Sequence, residues 1–407
     1  MSQEKRGPDF RRHVFYIPGY DPFPARRYRE LYRVEGEKQA EISGYELALL
    51  PSGGDRPGRW RAASLMDGLV TEVDVEVLGW SDIVKDSMSG GIGATYLQLV
   101  RTVWVYVRSG TFRRLVWLRK GPVIAALYPI VMLLLQLAAA LLAGWIAGAL
   151  VAWPTWPTWP VVGWLVSVPV VWAVLTQFRK WDHKLFAYYL MHDFAFAAAR
   201  NGATPEALAR READFAERIA QVLAEDVDEI LVVGHSSGAA IAVSVLARLM
   251  REGWVSGDGP DLSLLTLGQA IPMISFLPDA TQLRADLRRL SEEHRIVWVD
   301  VSAPSDGCAF ALCDPVAVSG VAPEGKVWPL VISAAFSKTL SPVAFEHLRR
   351  RFFRLHFQYL CAFDRPGDYD YFRITAGPFT LGERFEGRPP SQSRIDVPVS
   401  RYRTIAA

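Results

Sequence analysis

The chain has 407 residues, half of them hydrophobic, enough for one large domain with insertions or two ordinary ones. Its 45 basic and 43 acidic residues leave a formal charge of +2, spread along the chain, which offers a nucleic acid no basic surface. Three cysteines, Cys308, Cys313 and Cys361, form no CxxC pair and accompany no histidine cluster, so neither a disulfide framework nor a metal site is expected. Cys308 and Cys313 are near enough in sequence to pair, but small buried thiols in a reducing compartment are the simpler expectation. The amino-terminal MSQEKRGPDFRRH has charge and no apolar stretch behind it, so a secretory signal is not expected there.

In chain order, Val14–Ile17 reads as a short apolar strand ending in Pro18-Gly19-Tyr20-Asp21-Pro22, and Val73–Leu78 as a second strand. Ser89-Gly90-Gly91-Ile92-Gly93 lacks the third glycine of a dinucleotide site and the Lys-Ser/Thr of a P-loop; it reads as a flexible connection. From Gly121 to Phe178 no charged residue occurs, a run far longer than the roughly 20 residues that cross a hydrocarbon core as a helix. PTWPTWP, Pro154–Pro160, interrupts it, because proline removes amide donors and disfavours helix in the residue before it. Two membrane helices joined by a short Trp-rich turn follow, the indoles suiting the interfacial layer.

Arg101, Arg108, Arg113, Arg114, Arg119 and Lys120 precede this hairpin, and Arg179, Lys180 and Lys184 follow it. The connecting loop has no base, so both flanks are expected on the cytoplasmic side. A buried hairpin in a soluble protein is the alternative. Trp181–Arg200, rich in aromatics, reads either as a helix along the membrane surface or as an ordinary amphipathic core helix.

Beyond it, Thr204 and Pro205 open a helix as an N-cap and first-turn proline do, with Leu208, Phe215, Ile219, Val222 and Leu223 near helical spacing. Strand Ile230–Val233, helix Gly238–Met250, strand Leu262–Leu267, helix Leu283–Leu290 and strand Ile296–Val301 continue the alternation. The expected class is α/β, a mostly parallel sheet covered by helices with a two-helix hairpin inserted. Residues 1–120 and 179–381 form the two parts of one domain, 121–178 the hairpin, and 382–407 a polar tail extended over the surface.

Gly234-His235-Ser236-Ser237-Gly238 fits G-x-S-x-G between a strand and a helix. A serine on such a turn is thrust out of the backbone, and the helix amino terminus favours developing negative charge. At these residues the chain resembles the α/β-hydrolase superfamily, in particular its lipase and esterase-like branches, over Val14–Gly19 and about 229–360. Leu265–Gly268, LTLG, resembles the strand that follows the nucleophile helix there. The resemblance implies a triad in the chain order Ser, acid, His, and an oxyanion hole from the Ser237 amide and a second amide at Gly19–Tyr20. The PGYDP segment stands where many members carry an HG motif.

A serine hydroxyl needs a base to take its proton, and the base needs an acid to orient it. Asp306 follows the strand Ile296–Val301 at its carboxyl end, where such folds gather their loops. Asp314 is the alternative acid, and Asp300, inside the strand, reads as structural. His356 and His347 follow the acid; His356, in an H-x-x-Y setting common in lipase-like members, is the preferred base, and His347 reads as solvated. His235 reads as a packing residue, and His13, His183, His192 and His294 carry no motif.

The expected protein is a membrane-anchored serine hydrolase acting on a small-molecule or lipid ester through an acyl-enzyme on Ser236, without metal or organic cofactor. Its other expected partner is the lipid bilayer. A non-catalytic, membrane-tethered scaffold with a hydrolase fold is the alternative. A transporter would need more spans and more mid-membrane polar groups than Gln136 and a few hydroxyls.

Overall fold

The computed structural model of the chain describes residues 9–51, 58–152, 159–255, 257 and 259–406. Strands β1 (Asp9–Ile17), β2 (Glu46–Leu50), β3 (Arg59–Met66), β4 (Leu69–Val77), β5 (Glu229–His235), β6 (Asp261–Leu267), β7 (Ile296–Ser302) and β8 (Leu330–Ser333) form one sheet in the order β2-β3-β4-β1-β5-β6-β7-β8. The pairs from β4 through β1 to β8 are parallel, while β2–β3 and β3–β4 are antiparallel. The fold is therefore α/β with a mostly parallel eight-stranded sheet.

Every residue of β5 is buried, as a strand covered on both faces requires. β3 instead alternates, burying Trp60, Ala62, Ser64 and Met66 on one face, as an antiparallel strand with a wetter side does. Asp67 and Gly68, both at positive φ, make the two-residue turn between β3 and β4. β2, β3 and β8 are additions to the strands expected from the sequence.

The helices are α1 (Arg26–Ser43), α2 (Ser81–Ser87), α3 (Ile92–Arg108), α4 (Thr111–Leu118), α5 (Lys120–Ala152), α6 (Trp159–Lys180), α7 (Asp182–Leu185), α8 (Ala187–Ala198), α9 (Glu206–Val222), α10 (Gly238–Arg251), α11 (Pro272–Ser275) and α12 (Thr281–Glu292), followed by several short ones. On one sheet face α1 and the segment around Phe363 and Phe372 build a core with Val14 and Leu231. On the other, α9, α10 and α12 bring Ile219, Val243 and Leu287 onto Ile230 and Leu264. Each such buried side chain contributes roughly 1.5–3 kcal/mol of transfer free energy. Between the central strands the buried Arg12 guanidinium pairs with Glu229 and donates to the Gly377 carbonyl at 2.7 Å. Glu229 also accepts from Ser263 and the Leu381 amide, so one satisfied ion pair ties the late chain to the sheet.

α5 and α6 are both long and apolar enough to cross a membrane. A Cβ at Gly148 would fall 2.2 Å from Ser167 Oγ, and one at Gly144 2.6 Å from a Val171 methyl. The Gly144-x-x-x-Gly148 spacing thus brings the two helices close, and Ser167 donates to the Gly144 carbonyl at 2.8 Å. The 33 residues of α5 span about 50 Å, against about 30 Å of hydrocarbon. Its first turns stand against the sheet domain instead, packed by α3, α4 and α8 through Tyr106, Leu115 and Met191. Tyr96 and Tyr128 donate to the carbonyls of Leu133 and Leu185 across these contacts. The outer side of α3 exposes Leu97, Val100, Trp104 and Val107. The PTWPTWP turn, as far as Thr158, lies outside the described residues.

Two local expectations need correction. The segment Ser89–Gly93 is a built junction rather than a free connection: Gly91 precedes α3 as its N-cap, and the Gly90 carbonyl accepts from Arg179. α9 begins one residue later than expected, with Pro205 at the N-cap and no side-chain cap. Of the two readings of Trp181–Arg200, the core helix is the one found, since α8 buries Ala187, Tyr188, Met191, His192 and Ala198. The last residues are strapped to the domain by Ser391 to Val331, Arg114 to Val399 and Arg284 to Thr404.

Candidate active site

β5 ends at His235 and α10 begins at Gly238, leaving Ser236 and Ser237 to turn the chain. Ser236 sits at φ +57°, a conformation that costs a non-glycine residue on the order of 1–3 kcal/mol and presents its side chain outward. The glycines around it permit the turn. A Cβ on Gly238 would lie 2.3 Å from the Ile17 carbonyl oxygen, and one on Gly234 2.8 Å from Ala239 Cα. One on Gly19 would lie 3.0 Å from Ser236 Cβ, so the end of β1 leans directly on the turn. The Ser236 amide donates to the Leu267 carbonyl at 2.9 Å, fastening the turn to the end of β6.

Asp306 follows β7, and His356 closes a short helix, Phe352–His356, after β8. The two meet in the buried interior, His356 Nδ1 lying 2.7 Å from Asp306 Oδ2. Asp306 also accepts from the Cys308 amide at 2.9 Å and the Tyr359 hydroxyl at 3.0 Å. Burial pushes its pKa up, but the His356 ring and these hydrogen bonds outweigh that and hold the carboxyl below its ordinary range. An ionised Asp306 draws the imidazole proton to Nδ1, which leaves Nε2 as the free basic nitrogen. Nε2 is buried and has no hydrogen-bond partner among the described residues.

The other sequence candidates lie apart from this pair. Asp314 caps the helix Pro315–Val318, accepting from the Val316 and Ala317 amides at 3.0 Å each, and pairs with Lys326 at 2.7 Å. Asp300 is buried within β7 and accepts from Thr266 at 2.6 Å; burial pushes its pKa up to about 8, as suits a structural carboxyl. His347 is exposed. His235 stacks 4.8 Å from the His356 ring, and its Nε2 lies 3.1 Å from the His356 carbonyl. Burial, with the His356 charge second, pushes His235 down to about 3, so it stays neutral and acts in packing, as expected.

At the two expected oxyanion donors the geometry is mixed. Ser237 is the N-cap of α10, where an amide has no acceptor inside the helix. The Tyr20 amide instead donates to Ser237 Oγ at 2.9 Å, so a ligand reaches it only after that hydroxyl turns away.

Ser236, His356, Gly19 and Tyr20 line one cavity of about 760 Å³, within the range of small-molecule sites. Its far wall comes from the first turns of α5, through Pro122, Ala125 and Tyr128, and from α8. The exposed bases Lys184, Arg350, Arg351 and Arg354 line its outer part. Asp193 of α8 also faces it, and burial pushes that carboxyl up to about 7, with the His356 charge opposing. Sequence reasoning passed over Asp193. Its signal was a lone acid inside the aromatic run YYLMHDFAF, on a segment whose partners lie far off in sequence.

Asp306, Cys308 and His356 offer ligand atoms within 4.8 Å of one another. Burial holds the Cys308 thiol far above its ordinary pKa, which disfavours the thiolate a metal needs. All three cysteines are free thiols. No protein-family model matches the chain, and no curated protein or solved structure matches it either. The functional reading therefore rests on the site itself.

Proposed function

We propose that the chain is a membrane-anchored serine hydrolase of the α/β-hydrolase type, cleaving a small-molecule or lipid ester through an acyl-enzyme on Ser236. The observation that carries this reading is the strained Ser236 turn sharing a cavity with an Asp306–His356 pair whose Nε2 is unpartnered. The order along the chain, serine after β5, acid after β7 and histidine after β8, supports the same class.

Ser236 Oγ attacks the ester carbonyl while His356 Nε2 takes its proton, and Asp306 stays ionised beside the imidazolium. The carbonyl oxygen becomes an oxyanion facing the Ser237 amide and, once Ser237 Oγ has turned, the Tyr20 amide. Collapse breaks the ester bond, and the leaving alkoxide takes the proton from His356. Water, deprotonated by His356, then attacks the acyl group and releases the acid, restoring Ser236.

In this reading α5 and α6 span the bilayer, and the bases on both flanks favour a cytoplasmic hydrolase domain. Trp145, Leu150, Trp164 and Leu165, all exposed, would face lipid there. The bases along the cavity suit an ester presented at an anionic bilayer surface. One observation favours the tethered scaffold instead, namely that Ser237 Oγ occupies the Tyr20 amide. Turnover separates the two. The full chain in lipid nanodiscs is expected to hydrolyse p-nitrophenyl esters, and Ser236→Ala to fall to the uncatalysed rate. Folded wild type that hydrolyses no ester supports the scaffold.

A further inference from the structure

A second cavity of about 160 Å³ lies beyond the Ser236 cavity, between α3, α4, α5 and α8. Its lining presents no polar surface. The hydroxyl of Tyr106, one of its walls, is spent on the Met273 carbonyl at 2.9 Å. Phe194 and Met273 line both cavities, so these two side chains form the partition between them. Methionine, with three free torsions, is suited to opening such a partition without backbone movement. Its lining also includes Val107 and Leu127, which are exposed, as are Val100 and Trp104 of α3.

We propose that this chamber receives the distal part of the acyl chain of an ester held at Ser236, with Phe194 and Met273 as its gate. The inference rests on the hydrolase reading and narrows its substrate class to long-chain acyl esters. Three features argue for an acyl occupant: the apolar lining, the two residues shared with the cavity that holds Ser236, and the exposed apolar Val107 and Leu127 in its wall. A polar leaving group has nothing to bind there, whereas each methylene buried adds roughly fourfold to binding. The bases at the outer part of the Ser236 cavity then lie on the leaving-group side.

The test uses the full chain in nanodiscs and compares kcat/KM for p-nitrophenyl butanoate and p-nitrophenyl palmitate. Wild type is expected to prefer palmitate by about tenfold or more. Ala126→Phe fills the chamber from α5 and is expected to lower the palmitate-to-butanoate ratio by about tenfold. A wild type that turns over butanoate at least as well as palmitate overturns the proposal, whether or not the variant folds. So does a folded Ala126→Phe whose ratio is unchanged. Either outcome leaves the serine hydrolase reading standing, whereas a wild type that hydrolyses neither ester removes both.

Discussion

Asp306 Oδ2 lies 2.7 Å from His356 Nδ1, and the same oxygen accepts the Tyr359 hydroxyl at 3.0 Å. The acid is thus held by groups on both sides and directs one imidazole nitrogen, leaving the other free for chemistry. Asp306→Asn removes the charge while keeping the shape, and allows the wrong tautomer. Ester hydrolysis is expected to fall by about 10³- to 10⁴-fold in kcat with KM nearly unchanged. Asp314→Asn is expected to keep kcat and to lower stability by about 1–3 kcal/mol through loss of the charge that pairs with Lys326. Steady-state kinetics and denaturant melts of both variants check this, and equal losses of kcat would contradict it.

Ser236 holds φ +57° in spite of its Cβ. Glycine accepts that conformation and alanine does not, so Ser236→Gly is expected to be more stable than Ser236→Ala by about 1 kcal/mol. Both variants are inactive in this account. Denaturant melts read the difference, and equal midpoints would mean that the turn stores no strain.

Asp193 ionises only near pH 7 because burial opposes its charge. Its unfolded value is about 3.9, so between about pH 4 and pH 7 the folded state binds more protons than the unfolded one. This group therefore lowers stability as pH rises through that window, and no further above it. Asp193→Asn lacks the penalty. The Tm of the variant minus that of wild type is expected to grow from pH 4 to pH 7 and then level. A difference independent of pH would show that Asp193 is solvated.

The hairpin turn carries no base, and both its flanks do. In a cysteine-free background, Thr155→Cys is expected to react with an impermeant maleimide from outside intact cells. Ser391→Cys is expected to react only after permeabilisation. The reverse pattern would place the site on the other side of the membrane, and labelling of both from outside would remove the two-span arrangement.

β5 was legible from its uninterrupted Ile-Leu-Val-Val, and β6 and β7 from apolar runs broken only by Ser263, Thr266 and Asp300, the pattern of strands buried on both faces. Ser236 was picked from the glycines of the turn and Asp306 from its place after β7, whereas the choice of His356 over His347 came from the resemblance to lipase-like members. β3 escaped notice because its buried face is Trp60, Ala62, Ser64 and Met66, of which two are weakly apolar. Asp67-Gly68 was the available sign of its hairpin. β8 is four residues long, too short for any period to show. Gly144-x-x-x-Gly148 was readable as a helix-pairing motif and was passed over within the apolar run. Asp193 and the Tyr20–Ser237 hydrogen bond depend on segments that meet only in three dimensions, α8 returning from beyond the hairpin to the end of β1.

The proposed reaction stands on an activated serine at position 236. The full chain in nanodiscs, treated with a fluorophosphonate, digested and mapped by mass spectrometry, tests it whatever ester the protein cleaves. One adduct is expected, on Ser236, absent in Ser236→Ala and strongly reduced in folded His356→Ala. A folded wild type that carries no adduct, or carries it on another serine, would contradict the account.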